Sequence, residues 1–155
     1  RMARGPSVHQ PYLDAYGVVR SESGFTPTEQ ELVFLAASAA TGCNYCTAAD
    51  SMIADKVSKV PPDTLEAIRA GRPIPDPRLA ALHRLTTEMV RTHGRPSAET
   101  VEAFLGAGFD ERKLLYVVLA LAVKTLSNFS NHAFATEVDE RFAAYRVEPR
   151  EAVVG

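Results

Sequence analysis

Residues 26–56 read TPTEQELVFLAASAATGCNYCTAADSMIADK, and this stretch predicts two helices joined by a tight turn. Residues 26–29 combine a capping threonine, a proline suited to the first helical position and a glutamate that completes a capping box. Apolar residues at helical spacing follow until Gly42 interrupts them. A second helix is predicted from near Cys43 to about Lys56. The stretch therefore predicts a helical hairpin with a Cys-x-x-Cys sequence in its second arm.

Start and stop signals divide the rest of the chain in the same way. Helices are predicted for Asp63–Gly71, Asp76–Gly94, Ser97–Gly106 and Asp110–Ala135, with a helical tail for Val138–Tyr145. No run of alternating apolar and polar residues indicates a strand. We therefore predict an all-α fold of six or seven helices, formed by a single domain at residues 26–150. Residues 1–25 contain prolines and glycines without clear periodicity, and we predict an N-terminal arm there.

The last long helix is apolar on nearly every side between Leu114 and Leu126. A helix of this kind is usually buried all round. It is therefore predicted to be a central helix or to pack at a subunit interface, and we expect a homo-oligomer. The longest apolar run, Leu114–Val123, has about 10 residues, whereas a membrane span takes roughly 20, so no membrane partner is expected.

Composition narrows the class of protein. The chain has 155 residues, 46% of them hydrophobic, which is typical of a folded globular protein. The net charge is -2 and no basic face stands out, so we expect no nucleic-acid partner. Residues 1–25 lack the apolar core of a secretory signal, which favours a cytoplasmic location. In that compartment a pair of cysteines is more often reactive than a structural disulfide.

Cys43 and Cys46 are the only cysteines, and their spacing places them on one face of a helix. Such a pair usually performs redox chemistry or binds metal. A closed zinc site needs four ligands, and the sequence has no second cysteine pair or spaced histidine pair. We therefore expect a redox pair without metal or cofactor, and an inert buried pair is the alternative.

Three segments together resemble the alkylhydroperoxidase D and carboxymuconolactone decarboxylase family. Glu31 stands twelve residues before a Cys-x-x-Cys that opens a helix, and the segments 125–132 and 137–139 resemble the end of the peroxidase-related branch. The family places a histidine four residues after the second cysteine, where this chain has Asp50. Its best-studied form also has a histidine between the cysteines, where this chain has Tyr45.

The resemblance implies a helical trimer or hexamer that reduces hydroperoxides without metal or haem. Cys46 would attack the peroxide and become a sulfenic acid, and Cys43 would resolve it to a disulfide. A thiol reductant protein or a small dithiol would then reduce the disulfide. In the family, Glu31 and the missing histidine would form the proton relay that activates Cys46.

Asp50 is a poor replacement for that histidine. Its charge raises the pKa of a nearby thiol, and an ordinary aspartate is too weak a base to take a thiol proton. It would serve as a base only if burial raised its pKa or if it shared a proton with Glu31. His132, which shares a helix face with Asn128, is the other candidate base.

Two other functions remain open from sequence alone. A non-catalytic or redox-sensing protein would keep the cysteines and the fold, and Asp50 would then mark an impaired relay. A lyase of the decarboxylase branch would need basic groups for its acidic substrate, whereas basic residues near the cysteine segment are sparse and only Lys56 and Lys59 follow it closely.

Overall fold

Seven α-helices and a short 3₁₀ helix form most of the computed structural model, which describes residues 5–147. The elements are α1 (Pro6–Glu22), α2 (Pro27–Ala40), α3 (Asn44–Lys56), α4 (Pro62–Ala70), α5 (Pro77–Arg91), α6 (Ala98–Gly106), α7 (Glu111–Ala133) and the 3₁₀ helix Glu140–Tyr145. No strand occurs between residues 5 and 147, and the all-α prediction is confirmed. The first residues of the predicted arm, 1–4, and the predicted end of the domain at residue 150 lie outside the described residues.

Side-chain oxygens cap the starts of four of these helices. The Thr26 hydroxyl accepts a hydrogen bond from the Glu29 amide, and the Glu29 carboxylate accepts one from the Thr26 amide, which is the predicted capping box. Asp76, Ser97 and Asp110 accept amide hydrogen bonds at the starts of α5, α6 and α7. Each cap stabilises the protein by about 1 kcal/mol, and these residues therefore set the register of the helices they begin.

Helix α1 occupies the segment predicted to be an irregular arm. Pro11 and Gly17 lie inside it, and both residue types weaken an isolated helix, which is why no helix was expected. Packing outweighs that cost, because Val19 is buried and Tyr12 and Tyr16 pack against the core. The helix lies mainly on α7. A division of the chain at residue 26 stays a prediction, but α1 shares the core of the remaining helices.

The central helix is α2, and it lies between α3, α5 and α7. Ten consecutive residues, from Glu29 to Ser38, are buried. Four of them, at positions 32–35, form an uninterrupted apolar run that fills the core on every side of the helix. Because Glu31 and Ser38 belong to the same buried run, their polar groups must find partners inside the protein.

Helix α7 is not the central helix. One face of it packs inward through Val117, Ala120 and Val123, whereas Leu115 and Phe129 are 66% and 58% exposed. The prediction of burial on every side is therefore wrong for a single chain, because α2 fills that place. The alternative, a subunit interface, stays a prediction.

The length and composition of α7 would also allow it to cross a membrane, contrary to the estimate from its longest apolar run. The most apolar 18-residue window of α7 has a mean hydropathy of 1.3, and 33% of that window is buried inside the protein. The core helix of a soluble protein meets the same criteria. The apolar character of α7 is thus compatible with its packing here and is weak evidence for a membrane.

Candidate functional site

The two cysteines lie where α2 turns into α3. Gly42 provides the turn with a φ of 70°, a left-handed conformation that glycine adopts without strain. Cys43 is the N-cap of α3, and its sulfur accepts a hydrogen bond from the Cys46 amide at 3.4 Å. Both are free thiols, and they are 1% and 4% exposed. The predicted placement of the pair in the first turn of a helix is thus confirmed.

The two thiols differ strongly in acidity. A hydrogen bond from the Cys43 thiol is the largest influence on Cys46 and lowers its pKa to about 7. The Lys124 cation and the Asn131 amide also lower this pKa, against burial and the charge of Asp50, which raise it. The same hydrogen bond, together with burial, raises the pKa of Cys43 far above its usual range. Cys46 is therefore the more acidic thiol of the pair, and Cys43 remains protonated at neutral pH.

Cys46 opens onto a cavity of about 290 Å³. Helices α1, α3 and α7 supply its walls, which are formed by Tyr12, Tyr16, Tyr45, Cys46, Ala49, Asp50, Ile53, Lys124, Ser127, Ser130 and Asn131. Tyr12 has its pKa raised by burial and so stays protonated at neutral pH. The cavity therefore combines one acidic thiol with several neutral hydrogen-bond donors.

Lys124 and Asp50 form an ion pair in the wall of this cavity. Lys124 Nζ lies 2.8 Å from Asp50 Oδ2, and the Ser38 hydroxyl donates to the same oxygen at 2.6 Å. Burial acts to lower the pKa of Lys124, but Asp50 and Cys46 outweigh it and hold the pKa above its usual range. Lys124 is therefore a permanent cation near the thiol, and Asp50 holds it in place.

Glu31 lies deeper in the core than the thiols. Its Oε2 accepts hydrogen bonds from Arg20 at 2.6 Å and from Ser58 at 3.4 Å, while its Oε1 is buried without a partner among residues 5–147. Burial, followed by the charge of Asp50, raises the pKa of Glu31 to about 7. Part of the Glu31 population is therefore protonated at neutral pH.

The predicted pairing of Glu31 with Asp50 is not observed. Within the described part of the chain, each carboxylate has a cation of its own, Arg20 for Glu31 and Lys124 for Asp50. They interact through charge and not through a shared hydrogen bond. The cations were not foreseen, and despite them the charge of Asp50 still helps to raise the pKa of Glu31.

The end of α7 brings an amide, not an imidazole, to the thiol. Asn131 Nδ2 donates to Cys46 Sγ at 3.2 Å. Asn128 is fully buried and donates to the Thr41 hydroxyl at 2.7 Å, which ties α7 to the turn before Cys43. His132 is exposed and does not line the cavity. Its role as a base stays a prediction, and the structure offers it no direct contact with Cys46.

Sequence reasoning missed Lys124, Asn131 and the tyrosines of α1. A signal for Lys124 was present, because it follows Val117 and Ala120 at the spacing of the inward face of α7. A lysine on a buried face must find an anionic partner, and Asp50 is the carboxylate it meets. Tyr12 and Tyr16 were not predicted to line the cavity, because their segment was not recognised as a helix.

No group of three or more histidine, cysteine, aspartate or glutamate side chains within residues 5–147 is arranged to hold a metal ion. The described residues in and next to the cavity at Cys46 supply a thiolate, a neighbouring thiol and several proton donors. Whether the protein works without metal or cofactor stays a prediction.

More than half of the chain matches a known protein-family model. The model of the carboxymuconolactone decarboxylase family matches residues 6–88, which extend from α1 into α5 and include Glu31, both cysteines and Asp50. A search of curated proteins returns no match. Lys124 and Asn131 lie outside the matched residues, in α7.

Proposed function

Because the chain belongs to the carboxymuconolactone decarboxylase family, we propose that it is a thiol-dependent peroxidase that reduces hydroperoxides through a Cys43–Cys46 dithiol–disulfide cycle. The family has peroxidase-like and decarboxylase members, so membership alone does not decide the activity. One observation carries the proposal: an acidic thiol faces a cavity, and a second thiol hydrogen-bonded to it is in place to resolve an oxidised form.

In the first step the Cys46 thiolate attacks one oxygen of the hydroperoxide. The O–O bond breaks, Cys46 becomes a sulfenic acid and the second oxygen leaves as an alkoxide that needs a proton. Tyr12 and Tyr16 line the cavity. The Tyr16 hydroxyl accepts a hydrogen bond from Arg20 at 2.6 Å, so its own proton is free to be donated into the cavity. The leaving oxygen departs as an alcohol.

In the second step the thiol of Cys43 attacks the sulfur of the sulfenic acid. An S–S bond forms, water leaves with the hydroxyl of the sulfenic acid, and the thiol proton balances the charge. The two residues already share a hydrogen bond across one helical turn, so little chain movement is needed. An external dithiol then supplies two electrons and two protons and restores both thiols.

The volume of the cavity limits the size of the hydroperoxide that can bind. A volume of about 290 Å³ is at the small end of the range for ligand pockets, which run from roughly 300 to 1,000 Å³. Three tyrosines narrow the space around Cys46, and polar groups share the walls with apolar ones. We therefore expect hydrogen peroxide and small organic hydroperoxides to react faster than long-chain lipid hydroperoxides.

The experiment is a peroxidase assay with dithiothreitol as reductant on wild type, Cys46→Ser and Cys43→Ser. Turnover should require both cysteines, and Cys46→Ser should also abolish the first reaction with peroxide. In a separate reaction without dithiothreitol, Cys43→Ser should consume one equivalent of peroxide and stop as a sulfenic acid, which dimedone labels. Wild-type protein that consumes no peroxide under these conditions would rule the proposal out.

Two other functions give different results in the same assay. A redox sensor would be oxidised once by peroxide and would show little turnover with excess dithiol. A lyase of the decarboxylase branch would need a free cation for its acidic substrate, whereas Lys124 in this cavity is already paired with Asp50.

A further inference from the structure

Glu31 does not line the cavity at Cys46, but Arg20 connects it to a residue that does. Arg20 Nη2 donates one hydrogen bond to Glu31 Oε2 and another to the Tyr16 hydroxyl, each at 2.6 Å. This nitrogen carries two hydrogens, so both are used. A buried carboxylate of α2 is therefore joined through one guanidinium group to the wall of the cavity.

The guanidinium group of Arg20 is held on several sides. Its Nη1 donates to Gln30 Oε1 at 3.3 Å, and the Gln30 amide donates to the carbonyls of Arg20 and Phe25. Its central carbon lies 4.8 Å from the ring centre of Tyr16 and 4.7 Å from that of Phe34. Contacts of this kind with aromatic rings stabilise a cation. Arg20 therefore fixes the position of the Tyr16 oxygen in the cavity wall.

The contact with Arg20 determines which proton Tyr16 can give away. The Tyr16 oxygen accepts a hydrogen bond from the guanidinium group, and its own hydrogen has no acceptor within residues 5–147. If that hydrogen passes to a substrate, the negative charge left on the oxygen stays in a charge-assisted hydrogen bond with Arg20. Tyr12 lines the same cavity, but Arg20 does not bind its hydroxyl. Tyr16 is therefore the better proton donor of the two.

Only some leaving groups need such a donor. Attack of the Cys46 thiolate expels hydroxide from hydrogen peroxide, an alkoxide from an alkyl hydroperoxide and a carboxylate from a peracid. The pKa of water is about 15.7, that of a tyrosine phenol about 10 and that of a carboxylic acid about 4. A proton therefore passes downhill from a phenol to hydroxide or an alkoxide, and uphill to a carboxylate.

We propose that Glu31 and Arg20 are positioning residues, which hold Tyr16 so that its phenol protonates the leaving oxygen of the hydroperoxide. This inference rests on the peroxidase function proposed above. The Cys46 sulfur bonds to one oxygen, the O–O bond breaks, and the Tyr16 proton moves to the other oxygen as it leaves. The products are the sulfenic acid, water or an alcohol, and a Tyr16 phenolate that solvent reprotonates. Glu31 thus serves the leaving group and not the activation of the thiol.

The test compares two small oxidants that differ in the leaving group. Reduced protein free of dithiol is mixed with hydrogen peroxide or with peracetic acid, and the remaining thiols are quenched with N-ethylmaleimide and counted by mass spectrometry. The time course gives the rate of the first oxidation of Cys46. Iodoacetamide alkylation of the same variants measures the reactivity of the thiol itself, and circular dichroism melts establish that the variants are folded.

Tyr16→Phe should slow the reaction with hydrogen peroxide about ten-fold or more, as expected from the loss of a general acid. Its rates with peracetic acid and iodoacetamide should stay close to those of wild type, because neither leaving group needs a proton. Tyr12→Phe alters the same wall without touching Arg20 and should change both oxidant rates by a similar factor. Equal slowing of both oxidants in Tyr16→Phe, or a selective loss in Tyr12→Phe instead, would overturn the proposal.

A pair of double variants tests the positioning role. Arg20→Met/Glu31→Gln leaves no buried charge unpaired and should slow hydrogen peroxide selectively, by a smaller factor than Tyr16→Phe. Arg78→Met/Glu29→Gln removes the other ion pair of a buried α2 glutamate, 3.1 Å long and outside the cavity, and should affect neither oxidant. Equal behaviour of the two double variants would refute the positioning role. Wild-type protein that leaves hydrogen peroxide unreacted would refute the peroxidase function itself, whereas a reactive wild type without selective losses in the variants would refute this inference alone.

Discussion

Lys124 Nζ lies 2.8 Å from Asp50 Oδ2, and both side chains are almost completely buried in the wall of the cavity at Cys46. The pair joins α3 to α7 and stands where the family pattern has a histidine. The Lys124–Asp50 pair places a permanent cation near the Cys46 thiol, whereas a histidine would place a titratable base there.

Lys124→Met should raise the pKa of the Cys46 thiol by about one pH unit, because the thiolate loses a cation whose charge lowers that pKa. Peroxide consumption at pH 7 should fall accordingly. The variant should also lose about 3 kcal/mol of unfolding free energy, since Asp50 is left as an unpaired buried charge. The pKa is measured from the rate of iodoacetamide alkylation against pH, with Cys43→Ser as background.

The double variant Lys124→Met/Asp50→Asn separates stability from acidity. It should recover most of the lost unfolding free energy, because no buried charge is left without a partner. Its Cys46 pKa should stay above that of the wild type, since Lys124 acts more strongly on this thiol than Asp50 does. An unchanged pKa in both variants would show that Lys124 does not act on the thiol.

The Asp50→Asn variant tests whether Asp50 acts as a base or only fixes the position of Lys124. The charge of Asp50 raises the pKa of Cys46, so its removal should lower that pKa and speed alkylation below pH 7. Asparagine still offers an acceptor oxygen to the Ser38 hydroxyl. Slower alkylation without a lower pKa would instead support the base role.

Two neighbouring residues of α7 give a matched test of what activates Cys46. Asn131→Ala removes the amide that donates to the sulfur at 3.2 Å and should slow peroxide reduction several-fold through a higher thiol pKa. His132→Ala changes an exposed side chain and should leave the pKa unchanged. If His132→Ala slowed peroxide reduction and Asn131→Ala did not, the result would support His132 as the base that activates Cys46. Both variants are measured from pH 5 to 9, where wild-type alkylation should rise with a midpoint near 7.

The sequence predicted the parts of this protein that local signals determine. The capping box at Thr26, the Gly42 turn and the position of Cys43 at the start of α3 depend on neighbouring residues, and all three are observed. Lys124 and Asp50 are 74 residues apart, so no local pattern links them. Only the packing of α7 on α3 brings them together.

Helix α1 was not predicted from the sequence, for a related reason. Its Pro11 and Gly17 lower the local helix propensity, and the contacts that compensate come from α7 and α2. The cavity walls provided by Tyr12 and Tyr16 could not be foreseen without those contacts.

Glu31 should make the stability of the protein depend on pH. Its pKa is raised to about 7 in the folded state, so between its unfolded value and pH 7 the folded protein binds more protons than the unfolded chain. The Glu31 contribution is therefore fully present below the unfolded pKa and declines as pH rises through 7. Glu31→Gln should remove this decline, which is on the order of 2 kcal/mol between pH 4.5 and 8.

Urea unfolding at several pH values measures the effect. Glu29→Gln is the matched control, because Glu29 is buried on the same helix and paired with Arg78. The two variants should differ in the slope of unfolding free energy against pH. The same slope in wild type and Glu31→Gln would contradict the raised pKa.

The outer face of α7 tests the expected homo-oligomer. Leu115, Val118, Leu126 and Phe129 recur there at helical spacing and are all exposed in the single chain. An exposed apolar stripe of this length is unusual on a monomer and favours a subunit interface. Sedimentation should therefore show an oligomer for the wild type and a folded monomer for Leu115→Glu/Val118→Glu. Exposed Val57 lies on α3 at its C-terminal cap, outside the stripe, so Val57→Glu should leave the assembly intact. A monomeric wild type would mean that the stripe has another role, and the trimer or hexamer implied by the family resemblance would then be wrong for this chain.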